Sequence, residues 1–415
     1  MSDLSTRAGP SRRLILIMAL ACGIGVANAY FPQAITPLLA RDLSISESAA
    51  SAVATMTQLG YAAGILLLVP LGDRLPRRPL IATMFGIVAV GLFLAGSSSS
   101  LAPLYLFCAI VGAATVVPQI LIPMAADLTD KQNAGRVVGT LQGGLLAGVL
   151  LARAFGGILG QLLGWRAPYL VAGAIAILLA IVLVVRLPTT RSQSRDSYPA
   201  LLGTSLRLLR TQPALRRSCF YQFLLFGGFT AAWTSIALFL TGPSFGYGTS
   251  VVGFVALVGA GSVFMVPPAG RQIDRRGPDV VNLVCFGGVI LAAAVLLTGL
   301  RHGIAGLIGL IVGMLLLDVS VQTSQVANQA RVFALVPGAR SRLNSVYMTA
   351  VFLGGTVGSW IGARLYLSVG WGALCALVAG AGALALLRHL PRSRRNATGP
   401  ATPTLDPEVA QPANS

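Results

Sequence analysis

Asp318 lies halfway along the apolar stretch 303–330 and is the one carboxylate of the chain set deep inside such a stretch. Gln322, Gln325 and Gln329 follow it at spacings of four, seven and eleven, which places all four on one face of a helix. That face must meet either water or the other half of the protein, because charge in hydrocarbon costs several kcal/mol unless it is paired or wetted. A carboxyl group that alternates between wet and enclosed surroundings can bind and release a proton, which is what proton coupling requires. The blander alternatives are an acid that pairs permanently with an arginine or caps a broken helix, and glutamines that only join helices to one another. Arg153, within GVLLARAFGG at 148–157, is the cation at comparable depth. It suits either a clamp on an anionic substrate or a counter-ion to Asp318.

Neutral hydrogen-bonding and aromatic residues add to this set: Asn28 and Gln33 in the first apolar stretch, Gln58 and Tyr61 in the second, Gln119 in the fourth, Gln142 in the fifth, and Tyr221, Gln222 and Trp233 in the seventh. Any one of them reads more readily as packing than as a ligand. Asn28, Gln33, Gln119, Gln142, Arg153, Gln222, Trp233, Gln322 and Gln325 are the candidates for a substrate cavity, and Asp318 is the candidate for proton coupling.

These residues need a frame that repeatedly crosses a bilayer. Twelve apolar stretches, at 14–40, 49–71, 79–98, 101–126, 137–162, 165–187, 218–241, 249–270, 279–300, 303–330, 343–369 and 371–387, are each long enough to span about 30 Å of hydrocarbon. The expected fold is an all-α membrane protein of twelve transmembrane helices in two pseudo-symmetric bundles of six. With the N-terminus inside, 25 of the 30 Lys and Arg fall in the tails and the even-to-odd loops, leaving Arg41, Arg166 and Arg301 outside and Arg153 and Arg364 within helices. That bias puts both termini in the cytoplasm of a bacterial inner membrane. A net charge of +18 would suggest nucleic acid in a soluble chain, but with 55% hydrophobic residues and a mean hydropathy of +0.79 it fits loops facing anionic lipid, and no nucleic-acid partner is expected. The five cysteines sit in or at the edge of apolar stretches without CxxC spacing, so neither disulfides nor zinc are expected. Arg12, Arg13, an apolar run and Ala27-Asn28-Ala29 also resemble a signal peptide, whose cleavage would leave eleven helices and break the symmetry of the halves.

The halves are legible as a repeat. Residues 136–165 and 342–371 match at a constant offset of 206, which pairs Arg136 with Arg342, Gly148 with Gly354, Gly156 with Gly362 and Gly164-Trp165 with Gly370-Trp371. PLGDRLPRR at 70–78 and GRQIDRRGP at 270–278 form a second pair about as far apart. The chain then divides into a tail at 1–13, a bundle at 14–187, a cytoplasmic linker at 188–217 with a short amphipathic run around Leu206–Leu215, a bundle at 218–390, and a disordered tail at 391–415. Gly139, Gly143, Gly144 and Gly148 read as close helix contacts, and Trp165 and Trp371 as outer interfacial anchors.

On these residues the chain resembles the major facilitator superfamily over 14–390, whose signature loop reads Gly-x-x-x-Asp-Arg-x-Gly-Arg-Arg. The first copy supplies Asp73, Arg74, Arg77 and Arg78 with Val69 and Pro76 where glycines are usual, and the second keeps Gly270, Asp274, Arg275 and Gly277. RLNSVYMTAVFLGGTVGSWIG at 342–362 and LLLDVSVQTSQVANQARVFAL at 315–335 look like bacterial efflux permeases related to the arabinose exporters. The resemblance implies that stretches one, four, seven and ten line a cavity, bringing Asn28, Gln119, Gln222 and Asp318 together. Exporters of this kind carry Gly-x-x-x-Gly-Pro-x-x-Gly-Gly in the fifth stretch; this chain keeps Gly148, Gly156 and Gly157 but has Ala152 and Arg153, and it has Cys108 where a buried arginine is usual.

In the loop, Asp73 can face a helix N-terminus, where free N–H groups favour an anion. Neighbouring arginines can bond helix C-terminal carbonyls or Asp127. Asp73, Arg74, Arg77, Asp127, Arg136, Asp274, Arg275 and Arg342 are the expected cytoplasmic latch, although Arg77 and Arg78 serve equally well as simple topology signals.

The function expected is secondary active transport by alternating access: a small organic molecule, a drug or metabolite, exported in exchange for protons by a monomer without cofactor or metal. Proton-linked uptake of a sugar or small organic acid is the alternative, and a non-transporting membrane sensor a distant one. An enzyme is not expected, since His302 and His389 lie at helix ends and Asp318 has no second acid at its depth. A nucleotide-driven pump would need a GxxxxGK[ST] loop, which is absent from the sequence.

Overall fold

The computed structural model of the chain describes residues 10–130, 134–189, 197–259, 266–301, 303–336 and 340–397. Prolines decide which of its spans bend. Helix one is Arg12–Ala27 and then Phe31–Asp42, because Pro32 has no N–H for the carbonyl of Asn28. At the break, the N–H groups of Asn28, Ala29 and Tyr30 turn to the tighter partners Gly25, Val26 and Ala27. Helix four breaks the same way before Pro118, into Leu101–Ala114 and Pro118–Asp127. Helix two is Glu47–Leu67, followed after Pro70 by the turn Leu71–Arg74. The two breaks in helices one and four brace each other. The Asn28 amide donates to Thr115 Oγ1 at 3.3 Å, and that hydroxyl donates to the Gly25 carbonyl at 2.6 Å.

The remaining spans are helix three (Arg77–Gly96), five (Ala134–Leu163), six (Arg166–Arg186), seven (Pro213–Thr241), ten (Gly303–Phe333), eleven (Arg340–Val369) and twelve (Trp371–Ala397). Helix eight starts at Thr249–Gly259; the chain is described again from Val266 and turns at Gly277, φ 76°, into helix nine at 278–296. Eleven of the described helices are long and apolar enough to cross a membrane, and Thr249–Val258 is a shorter apolar helix. Helix seven starts five residues before the expected stretch, with Pro213 in its first turn, where a missing N–H costs nothing. The amphipathic run between the halves is a helix at Tyr198–Thr211, anchored by Tyr198 Oη to the Leu67 carbonyl at 2.6 Å. Most of the expected tail, beyond Ala397, lies outside the described residues.

The repeat reappears in the packing. Gly148 leaves no room for a β-carbon against the backbone of Gly23, and Gly354 leaves none against Phe223, so helix five lies on helix one as helix eleven lies on helix seven. Helix two meets helix four through Gly60, Gly64 and Gly112 in the same manner. Every residue of helix seven from Leu225 to Leu240 is buried, so it is enclosed on all sides by its neighbours. Helices three, six, nine and twelve carry the exposed apolar faces, among them Val90, Leu178, Ile181, Val185, Val284 and Leu387.

Two expectations are corrected. Trp165 and Trp371 are buried, not interfacial: Gly164 (φ 86°) and Gly370 (φ 104°) turn the chain so that each indole tucks back into its own half. Trp165 Nε1 donates to Asp42 at 2.6 Å and Trp371 Nε1 to the Leu296 carbonyl at 2.8 Å. Of the four glycines read as helix contacts, Gly144 and Gly148 are contacts, whereas a β-carbon at Gly139 or Gly143 would meet nothing within 4 Å.

Candidate functional site

Arg153 on helix five and Asp318 on helix ten are both completely buried, one from each half. Three rings surround the Arg153 guanidinium, with its carbon 4.0 Å from the Trp233 ring centre, 5.1 Å from Tyr30 and 5.4 Å from Phe229. Such contacts attract a cation to the negative face of a ring, most strongly where water is excluded. The Arg153 Nε donates to Gln33 Oε1 at 3.1 Å. Its two terminal nitrogens have no partner, and neither have both oxygens of Asp318 or the Gln33 amide nitrogen. Asp318 lies within electrostatic reach of Arg153 and beside the Trp233 indole, yet the two charges make no ion pair within 4.0 Å. Buried groups left in this condition are expensive and mark a place built to be completed by something else.

The same faces of helices five and ten become accessible towards the end of the molecule that carries the arginine-rich loops, here the basic end. Gly139 and Gln142 lie on the face of Arg153, fourteen and eleven residues before it, and are exposed and half-buried respectively. Gln322 and Gln325 continue the face of Asp318 and are half-buried. At the far end the halves are sealed. Thr249 Oγ1 donates to the Gly157 carbonyl at 3.1 Å, and Gln161 Oε1 accepts the free N–H of Ser250 at the start of helix eight at 2.7 Å. Thr55 Oγ1 donates to Ser359 Oγ at 3.1 Å, which in turn bonds Thr234 at 3.0 Å.

The other cavity candidates separate along the axis. Asn28 is corrected from cavity to brace, since its amide is engaged within the first half at the break of helix one. Gln119 accepts from Asn344 of helix eleven at 3.2 Å, and Asn344 also takes a bond from Gln329 at 2.9 Å, so a polar chain crosses between the halves nearer the basic end. Gln222 donates to the Val321 carbonyl at 3.4 Å. The expected grouping of Asn28, Gln119, Gln222 and Asp318 is therefore not found, because each of the first three reaches its nearest backbone or amide partner instead. Gln33, Arg153, Trp233 and Asp318 are brought together. Sequence reading missed Tyr30 and Phe229; Phe229, four residues before Trp233, shared its helical face and could have been found.

The latch candidates also divide. Arg77 Nη1 bonds Asp127 Oδ2 at 2.7 Å while its Nε donates to the Gly72 carbonyl at 3.2 Å. Asp73 and Arg342, from opposite halves, line one small pocket with Pro70, Leu201, Ser205 and Ser345, at the first turn of helix eleven. Arg74, Arg136 and Arg275 are exposed, and the Asp274 side chain lies outside the described residues. Among the described residues of the second half, Asp279, unnoticed in the sequence, makes the ion pairs: it bonds Arg217 at 3.0 Å and also Arg331, with His389 Nδ1 4.0 Å away. Asp279 follows Pro278 as Arg77 follows Pro76, and Arg331 ends helix ten as Asp127 ends helix four. The two halves thus hold the same ion pair with the charges exchanged.

The comparisons with known proteins agree with this architecture. The chain is 39% identical over 365 residues, 88% of its length and 92% of the relative's, to the Uncharacterized transporter YgaY of Escherichia coli. It is 29% identical over 199 residues, 46% of its length and 50% of the other's, to Multidrug resistance protein D of Escherichia coli. A crystal structure of the nucleoside transporter NupG superposes with a TM-score of 0.70 at 16% identity, covering 91% of this chain and 99% of that one, which establishes a common fold. The family model described as Major Facilitator Superfamily matches residues 14–315 and 256–412. With the repeat, the paired bundles and matches that run from one end of the apolar region to the other, the chain belongs to the Major Facilitator Superfamily of transporters.

Proposed function

We propose that this transporter is proton-coupled and exports a small organic molecule by alternating access, with Asp318 as the proton-binding group and Arg153, Gln33 and Trp233 in the substrate site. The observation that carries the reading is the enclosed pair of opposite, incompletely satisfied charges held between the halves, with hydrogen bonds crossing the halves towards either end. Residues 14–187 and 218–390 are the rocking halves, 188–217 the linker, and the protein works as a monomer. The basic end faces the cytoplasm of a bacterial inner membrane, and since the Gln119–Asn344 bond crosses between the halves nearer that end, the charged pair is enclosed from both sides. Asp73 with Arg342 forms the cytoplasmic latch that tightens when the far end opens. Export is favoured by the relative named for multidrug resistance.

Replacing Asp318 by Asn tests the reading: transport driven by a pH gradient in proteoliposomes is expected to vanish while insertion and folding persist. Full proton-driven activity of Asp318→Asn would remove Asp318 from the mechanism. A second reading, uptake of a small organic acid with a proton, draws on the two free nitrogens of Arg153, which form a fork suited to a carboxylate. Adding an uncoupler to cells separates the two: accumulation of the substrate rises if the protein exports it and falls if the protein takes it up.

A further inference from the structure

Resting on the proposed role of the Arg153–Asp318 site, we infer that the molecule carried is uncharged and presents a hydrogen-bond acceptor and a hydrogen-bond donor together on one edge of an apolar body. The Arg153 guanidinium is covered by the rings of Trp233, Tyr30 and Phe229, and its Nε is committed to Gln33. What remains is the in-plane edge of its two terminal nitrogens, which can only donate. Within electrostatic reach of it stands Asp318, buried, with the Trp233 indole N–H as its one neighbouring donor and room for more on its oxygens, which when ionised can only accept. A ligand that satisfies both must bring an acceptor for one and a donor for the other, and the three rings provide the wall for an apolar remainder.

Charge bookkeeping decides between ligand classes. Among the described residues, Arg153 and Asp318 are the two formally charged side chains buried at this depth, so the site is neutral in sum. A cation would add an unbalanced positive charge beside a guanidinium that cannot lose its proton. An anion would meet ionised Asp318 and would need a proton to accompany it. An uncharged molecule leaves the balance intact. It also accounts for exchange: protonating Asp318 removes its charge and turns one of its two acceptor oxygens into a donor, so the ligand's donor loses its charge-assisted partner and proton and molecule bind in opposition. The charged or titratable groups that face Asp318 are Arg153 on helix five and Tyr30 on helix one, with Trp233 of helix seven beside it.

The test uses three compounds that share one ring, 2-phenylacetamide, phenylacetate and phenethylammonium, in equilibrium binding to the full chain in lipid nanodiscs. Expected is saturable binding of the amide at alkaline pH, at least tenfold tighter than that of the cation, weakening as acid protonates Asp318, and weaker and without that pH dependence in Asp318→Asn. Arg153→Gln should bring the cation to parity with the amide. Arg153→Lys, which keeps the charge and removes the fork, should weaken the amide and still exclude the cation, so one variant reports even if the other fails to fold. Tighter binding of phenethylammonium or of phenylacetate at alkaline pH, or saturable binding of none of the three, overturns the inference. Preference for the cation together with loss of proton-driven transport in Asp318→Asn would sink this inference alone; the expected order together with undiminished proton-driven transport in that variant would sink the coupling role alone.

Discussion

Exchanging Arg77 and Asp127 by the double substitution Arg77→Asp with Asp127→Arg should leave a protein within about 1 kcal/mol of the parent, although each single substitution is damaging. The Arg77 side chain is 6% exposed and that of Asp127 47%, with 2.7 Å between their charged atoms. At an effective dielectric of about 20 that separation is worth about 6 kcal/mol, and the open side of Asp127 reduces it to about 3 kcal/mol. Arg77→Asp alone forfeits this attraction and sets two acids face to face, at a cost of about 3–5 kcal/mol. The reversal restores the pair and gains from the helix dipoles. Arg77 begins helix three and Asp127 ends helix four, so each charge now stands at the wrong end of its helix, whereas Asp279 and Arg331 stand at the right ends of helices nine and ten. Correcting both is worth about 0.3–1 kcal/mol each, which offsets the lost bond from Arg77 Nε to Gly72. Thermal unfolding of parent, both singles and the double in detergent gives the coupling energy directly. A double variant as unstable as the sum of its singles would refute the reasoning.

The converse exchange, Asp279→Arg with Arg331→Asp, should not recover, because it opposes both dipoles and strands Arg217 and His389, and the same unfolding cycle reads it out. Gly148→Leu and Gly354→Leu should each abolish a monodisperse peak in size-exclusion chromatography, since backbone lies where the side chain would go, while Gly139→Ala and Gly143→Ala should raise stability by about 0.5–1 kcal/mol. Gln161→Ala with Thr249→Val removes two bonds of the far-end seal, so a cysteine placed at Gln33 should react several-fold faster with an impermeant thiol reagent added at the far side; the five native cysteines are buried and give little background. Arg153→Gln leaves Asp318 without its cation, and adding Asp318→Asn should restore most of the melting temperature that Arg153→Gln loses.

Apolar length and arginine placement made the spans and the two halves legible, because a bilayer leaves the chain few other options. Arg153 and Asp318 stood out for the same reason: charge at that depth is rare enough that depth alone marks it. What the sequence could not convey is direction around each helix once helices one and four break. Asn28 turns to Thr115 because Pro32 frees the backbone beside it, and the period of an unbroken helix does not register that turn. Trp165 and Trp371 were misread because composition at a helix end suits an interfacial tryptophan equally well, and the positive φ of the preceding glycine, which folds each one inward, is a property of the backbone. Asp279 escaped notice because its match to Arg77 is a match of position with opposite sign.

The first half bends in two helices whose counterparts in the second, helices seven and ten, do not. Helices one and four are each interrupted in front of a proline, while helices seven and ten run unbroken from Pro213 to Thr241 and from Gly303 to Phe333. The two halves therefore differ in construction: the second carries the acid on an unbroken helix, whereas the first has two joints in the helices that pack beside helix five, cross-tied by Asn28 and Thr115. Arg153 itself rides on helix five, which is as unbroken as helix ten, so bending at the two joints would reshape the walls beside the charged pair and carry neither charge.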